Sequence, residues 1–149
     1  MRILLLLCLS PLLAVADPTV TPTHIELARR VGFLDTDWYQ QQAAAWAAHV
    51  QDHPDDAQAW RSLLLAAEYG RHLSIDELDD LLRRMETEVP DSWQLPYLRA
   101  RRIGIGDLDT HLSLLQQAAQ RCQADCGEFD EGIALTQELR SDLAPSLLD

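Results

Sequence analysis

Two cysteines and two histidines are the residues whose type and spacing best suit chemistry. Cys122 and Cys126 stand four apart, and the third cysteine, Cys8, lies near the N-terminus. Inside a regular helix that spacing holds the Cβ atoms too far apart for a bridge. Asp125 and Gly127 signal a helix ending at this point, which relaxes the geometry. We therefore expect a small-loop disulfide pinning a helix end, with two free thiols as the next alternative and metal ligation last. The two-residue spacing of a dithiol redox motif is absent.

His49 and His53 form an H-x-x-x-H pair. On one helix face such a pair can hold zinc. Zinc hydrolases of this pattern place Glu directly after the first His as the base, and here that position is Val50. His53 precedes Pro54, which pushes it away from helical geometry. The pair reads as two surface histidines at a helix C-terminus. A metal-binding protein or small hydrolase using His49 and His53 is the alternative. The acidic runs at 52–56 and 76–80 lack the spaced ligands and glycine of a calcium loop, so they read as helix N-terminal charge and a wetted face. Gly104-Ile105-Gly106 follows no strand and has no third glycine, which excludes a dinucleotide fingerprint. No catalytic residue, metal or cofactor is assigned.

The elements that would position these residues are helices. The 149-residue chain is 47% hydrophobic, enough for one real core, and carries no alternating strand pattern. Short polar punctuation divides it. A helix is expected over 24–31 after Thr23, and another over 38–52 after Asp35, Thr36 and Asp37. The next opens at Pro54-Asp55-Asp56, runs through Trp60, Leu63 and Leu64 to Tyr69, and stops at Gly70. Ser74 and Glu77 form a capping-box pattern ahead of a stripe of Ile75, Leu78, Leu81, Leu82, Met85 and Val89. A third round opens at Pro90 and passes Trp93, Tyr97 and Ala100 to Gly104. Asp107 or Asp109 caps a further helix ending near Cys122, and a last one spans 129–143. Four tryptophans are read as core anchors, with Trp38 or Trp93 as a candidate groove residue.

Residues 1–16 have the three parts of a secretory signal: Arg2, an apolar run to Leu13, and Ala14-Val15-Ala16 as a cleavage site. The run is too short to span a bilayer. Cleavage after Ala16 predicts a periplasmic or secreted protein without membrane insertion, and leaves an extended leader at 17–23, a helical domain at 24–144 and a tail at 145–149. Acidic residues outnumber basic ones 24 to 12, and every basic residue is Arg. A nucleic-acid partner is excluded for want of a basic patch, and an anionic membrane surface is disfavoured for the same reason.

Punctuation repeats at a fixed offset. Pro54 and Pro90 are 36 residues apart, as are Gly70 and Gly106, Asp55 and Asp91, and Leu78 and Leu114. A period of this size marks stacked helical hairpins. Over about 38–121 the chain resembles the tetratricopeptide family, on Pro54 through Trp60, Leu63 and Leu64, then Leu78, Leu82, Met85 and Pro90. It departs from that pattern at Pro96, which falls where Trp60 would recur. The resemblance implies an all-α stack of antiparallel hairpins with a concave groove for a protein or peptide. We expect an exported scaffold for protein–protein interaction, not an enzyme, with Trp93, Tyr97, Arg101 and Arg102 exposed on its binding face. So short an array also makes a homodimer plausible.

Overall fold

The computed structural model describes residues 21–124 and 126–143. The segment 1–16 expected to be a signal, the expected leader up to residue 20, residue 144 of the expected helical domain and the expected tail 145–149 lie outside the described residues.

The described chain is all-α, with seven α-helices: α1 (Pro22–Arg30), α2 (Thr36–Asp52), α3 (Ala57–Gly70), α4 (Ile75–Glu88), α5 (Gln94–Ile103), α6 (Leu108–Arg121) and α7 (Gly127–Leu143). A single 3-10 turn, Gly104–Gly106, separates α5 from α6. Short polar side chains set most starts, because the first N–H groups of a helix have no partner within it. Thr21 accepts from His24 N, Asp35 from Asp37 N and Trp38 N, Asp56 from Gln58 N and Ala59 N, and Asp107 from Thr110 N. Ser74 and Glu77 close the expected capping box. These backbone and hydroxyl hydrogen bonds hold the Glu77 carboxyl below its ordinary pKa, and Thr110 does the same for Asp107. α5 begins without a side-chain cap; Pro96, in its first turn, leaves no unpaired N–H there.

Two expected helix ends shift. The first helix begins at Pro22, with Thr21 rather than Thr23 as its cap. Gly70 is the last helical residue of α3 rather than its left-handed stop. Arg71 takes the left-handed conformation, at φ 51°. Gly70 is small for a different reason: a Cβ there would stand 3.2 Å from the backbone nitrogen of Gln40 on α2.

The core forms around α3. Positions 59–67 of α3 are buried without interruption, Arg61 and Ser62 among them. A helix apolar on every side must be covered on every side, and α1, α2, α4 and α5 all pack on it. Stacked helices thus agree with the expected fold class, while the pairing has its own pattern. The segment after Pro90 pairs chiefly with the helix that follows it, α6; the segment after Pro54 pairs chiefly with the helix that precedes it, α2. The reason lies in α4, which offers α3 a single stripe of Leu78, Leu82 and Met85. Ile75, expected in that stripe, is exposed at the first position of α4. α7 packs along α6.

Candidate functional site

The four expected binding residues lie on or just before α5, and none is fully exposed. Tyr97 and Arg101 turn their polar ends inward. Glu26 on α1 is the centre of their cluster. It accepts from Arg61 Nη2 at 2.8 Å and from Tyr97 Oη at 2.7 Å, and Arg101 Nη1 stands 3.6 Å from it. Arg101 Nη2 also donates to Tyr69 Oη at 2.6 Å and lies 3.7 Å from Glu68. Burial and the charge of Glu26 push the Tyr97 hydroxyl up to about 12. Burial also raises Tyr69, against the opposing pull of Arg101. For Arg101, burial works against the charge but is outweighed by the phenols and carboxylates around it, so its pKa rises. The expectation of an exposed Tyr97 and Arg101 is therefore corrected: acceptors on α1 and α3 draw their polar ends into the cluster. Arg102 pairs with Asp79 of α4 at 3.0 Å, beside a separate groove of about 320 Å³.

Trp93 is different. It forms part of the wall of an open cleft of about 820 Å³ where the start of α1, the α2–α3 pair, and the ends of α5 and α6 converge. Thr21, Pro22 and Thr23 make one lip, and Trp46, Gln58 and Arg61 line it from α2 and α3. Asp91, Ser92 and Trp93 contribute from the segment leading into α5; Arg121, Gln123 and Ala124 close the far side.

Three contacts fix the Trp93 ring. The Arg61 guanidinium lies over it at 5.0 Å, a cation–π arrangement. Phe129 of α7 meets it edge-on at 5.1 Å, and Tyr97 at 6.0 Å. Arg121 Nη1 donates to the carbonyls of Pro90 at 3.0 Å and Ser92 at 3.3 Å, holding the segment before Trp93 in place. Arg121 has no carboxylate in ion-pair range among the described residues. Trp46 and Ser92 also line the cleft, and their Nε1 and Oγ atoms are buried out of contact with solvent and without a hydrogen-bond partner among the described residues. An unpaired buried polar group costs about 1–3 kcal/mol.

Cys122 and Cys126 are joined by a disulfide, with Cα atoms 5.9 Å apart. α6 has ended at Arg121 and α7 begins at Gly127, so the bridge spans the connection as the spacing argument required. The small ring so closed contains Gln123 and Ala124 of the cleft wall.

The histidine pair serves local structure. His49 Nε2 lies 3.2 Å from Oδ2 of Asp56, the residue that caps α3, and the His53 ring sits 4.6 Å from that of His49. No group of three or more His, Cys, Asp or Glu side chains is placed to hold a metal among the described residues. The acidic runs are absorbed in the same way: Asp56 caps α3, Asp79 pairs with Arg102 and Asp80 with Arg83. Trp38 meets Phe33 and Tyr39 edge-on, away from the cleft.

Sequence reasoning missed Arg61, Ser92 and Arg121. One signal for Arg61 was available: it lies in a segment, Trp60 to Ala67, apolar on all faces, where a lone arginine must be buried and partnered. Ser92 and Arg121 gave none, since their roles depend on α5 and α6 meeting.

No family model matches the chain. It is 35% identical over 105 residues to a protein named probable tripeptidyl-peptidase SED2, from Trichophyton verrucosum. The match covers 62% of this chain and 17% of that protein, so the chain spans about a sixth of the relative's length. No helix among the described residues is long and apolar enough to cross a membrane.

Proposed function

We propose that this chain is an exported, non-catalytic helical scaffold of the tetratricopeptide-like kind, which binds a segment of another protein in the cleft beside Trp93. The observation that carries the reading is the cleft itself: about 820 Å³, open to solvent, with two tryptophans and two arginines converging from α2, α3, α6 and the segment leading into α5. Pockets with an aromatic body and a few placed polar groups are the usual form of a binding site. Tryptophan and arginine are also the residues most enriched where binding energy concentrates. Export is supported by the leader at 1–16 and by a disulfide, a bond that persists in oxidising compartments.

The likeness to a peptidase-named protein does not favour catalysis here. Both mature cysteines are tied in the disulfide, and His49 is engaged by a helix-capping aspartate.

Site-specific photo-crosslinking tests the reading. A photoreactive side chain at Gln58 or Gln123, on the cleft, should capture a partner in the exporting cell. The same group at Leu135, an exposed position on α7 away from the cleft, should not. Equal capture from all three positions would count against the cleft as the binding surface.

A further inference from the structure

The Cys122–Cys126 bridge stands between two of the contacts that fix Trp93. On one side, Arg121 directly precedes the ring and donates from Nη1 to the carbonyls of Pro90 at 3.0 Å and Ser92 at 3.3 Å. On the other side, the Phe129 N–H donates to the Cys126 carbonyl at 3.0 Å. The Phe129 ring is buried and meets Trp93 at 5.1 Å and Tyr97 at 5.6 Å. The disulfide ring itself supplies Gln123 and Ala124 to the cleft wall. One covalent bond thus ties the far wall of the cleft to two supports of its tryptophan. The Arg61 guanidinium, over the Trp93 ring at 5.0 Å, is the support that does not depend on the bridge.

The bond is also placed to be broken without unfolding the core. Both cysteines keep part of their surface in solvent, and access is a condition for attack by a thiol. They stand four residues apart, and so short a ring restrains the unfolded chain little. The cover of α3 is made by α1, α2, α4 and α5; neither α6 nor α7 belongs to it among the described residues. Without the bridge, 122–126 is a plain connection followed by Gly127, and its residues regain backbone freedom. We infer that Cys122–Cys126 is an exchangeable bond, opened by a dithiol reductant, and that its opening releases the cleft wall and weakens partner binding. The inference rests on the reading of the cleft as the partner site. In the exchange, a thiolate of the reductant attacks one sulfur of the bridge, the S–S bond breaks and the other cysteine leaves as a thiolate. The second thiol of the reductant then displaces the first cysteine from the mixed disulfide. The protein gains two electrons and two protons as two thiols, and the dithiol is oxidised to its own disulfide.

The test uses the chain lacking residues 1–16, with a photoreactive side chain at Gln58, which is exposed on the cleft and lies outside the disulfide ring. Dithiothreitol is the reducing probe, applied without denaturant. Both thiols should become open to alkylation while the helical spectrum is kept, and the indole N–H resonance of Trp93 should shift. Capture of the partner from Gln58 should fall about fivefold or more. Reoxidation should restore it. The reagent also reaches the partner, so Cys122→Ser with Cys126→Ser is the control: it should match the reduced chain and ignore dithiothreitol. If the thiols stay closed to alkylation until denaturant unfolds the chain, the bridge is a fixed staple and the inference is overturned. If they open but capture from Gln58 holds at its oxidised level, in the reduced chain or in the serine variant, gating is overturned while the cleft reading survives. If the oxidised chain captures no more from Gln58 than from Leu135, the cleft reading falls and this inference falls with it.

Discussion

Arg61 on α3 donates from Nη2 to Oε2 of Glu26 on α1 at 2.8 Å, and neither side chain is more than 9% exposed. A buried ion pair is a modest source of stability, but removing Glu26 takes away the buried carboxylate that Arg61, Tyr97 and Arg101 share. Glu26→Leu should therefore destabilise the fold by about 3–5 kcal/mol in urea unfolding. The double replacement Glu26→Leu, Arg61→Met should cost less than Glu26→Leu alone. A double variant weaker than either single one would show that the pair itself, rather than the lost carboxylate beside a buried cation, carries the energy.

Tyr97 makes stability fall at alkaline pH. Its folded-state pKa is raised to about 12 from 10.0, so in the folded state the neutral phenol is favoured. Above pH 10.0 the unfolded chain releases this proton first, and stability declines until the folded-state value is reached. Tyr69 and Tyr39 are raised too and act with the same sign. Denaturant midpoints should thus drop as pH rises from 10.0 towards 12, and Tyr97→Phe should flatten that drop. A midpoint independent of pH across this window would contradict the buried placement of the hydroxyl.

Reduction of Cys122–Cys126 should lower stability by about 2 kcal/mol, the chain-entropy value for so short a ring. The effect should be local as well. α7 packs on α6, and Phe129 sits three residues beyond the bridge with its ring against Trp93. Hydrogen exchange in the first turns of α7 should therefore speed up on reduction, while exchange in α3 changes least. In a chain that lacks residues 1–16, alkylation should find two thiols only after reductant is added.

Gly70→Ala tests which of two roles that glycine plays. As a helical residue it should gain about 1 kcal/mol from the substitution. Against that, the new Cβ would lie 3.1 Å from Gln40 Cγ and 3.2 Å from the Gln40 backbone, and Gln40 Nε2 already donates to the Gly70 carbonyl at 3.0 Å. Backbone cannot step aside as a flexible side chain can, and overpacking typically costs about 1–3 kcal/mol. A net loss of about 1 kcal/mol is expected on thermal unfolding. Net stabilisation would mean that α2 and α3 separate more easily than their packing implies.

What could be read from the residues was local. The runs 35–37 and 54–56, Ser74 with Glu77, and Asp107 or Asp109 marked helix starts because a cap acts over three residues, and the structure takes Asp35, Asp56, Ser74 and Asp107 as the caps. The cysteine bridge was legible because Asp125 and Gly127 announced a helix end next to it. The hairpin register was only partly legible. The Pro54–Pro90 repeat marks where segments begin, but the choice of partner depends on how many faces each helix must cover, and α3 must cover all of them. Glu26 and Tyr97 are 71 residues apart, and no periodicity links them. Tyr97 and Arg101 looked like a presented face because α5 carries charge at its end; α1, lying on α3, supplied the carboxylate that turned them inward. Trp93 alone of the four expected binding residues lines the large cleft, together with the unanticipated Trp46 and Arg121.

The enclosure of α3 has a bearing on recognition. α1, α2 and α5, which carry or lead into most of the cleft lining, each rest on α3, and α6 joins them through α5. They share one spine, so they cannot swing apart as two lobes would without baring that spine to water. On the proposed reading, a guest meets a mould already cast: selection falls on its shape before contact, and the backbone of host and complex should superpose within about 1 Å.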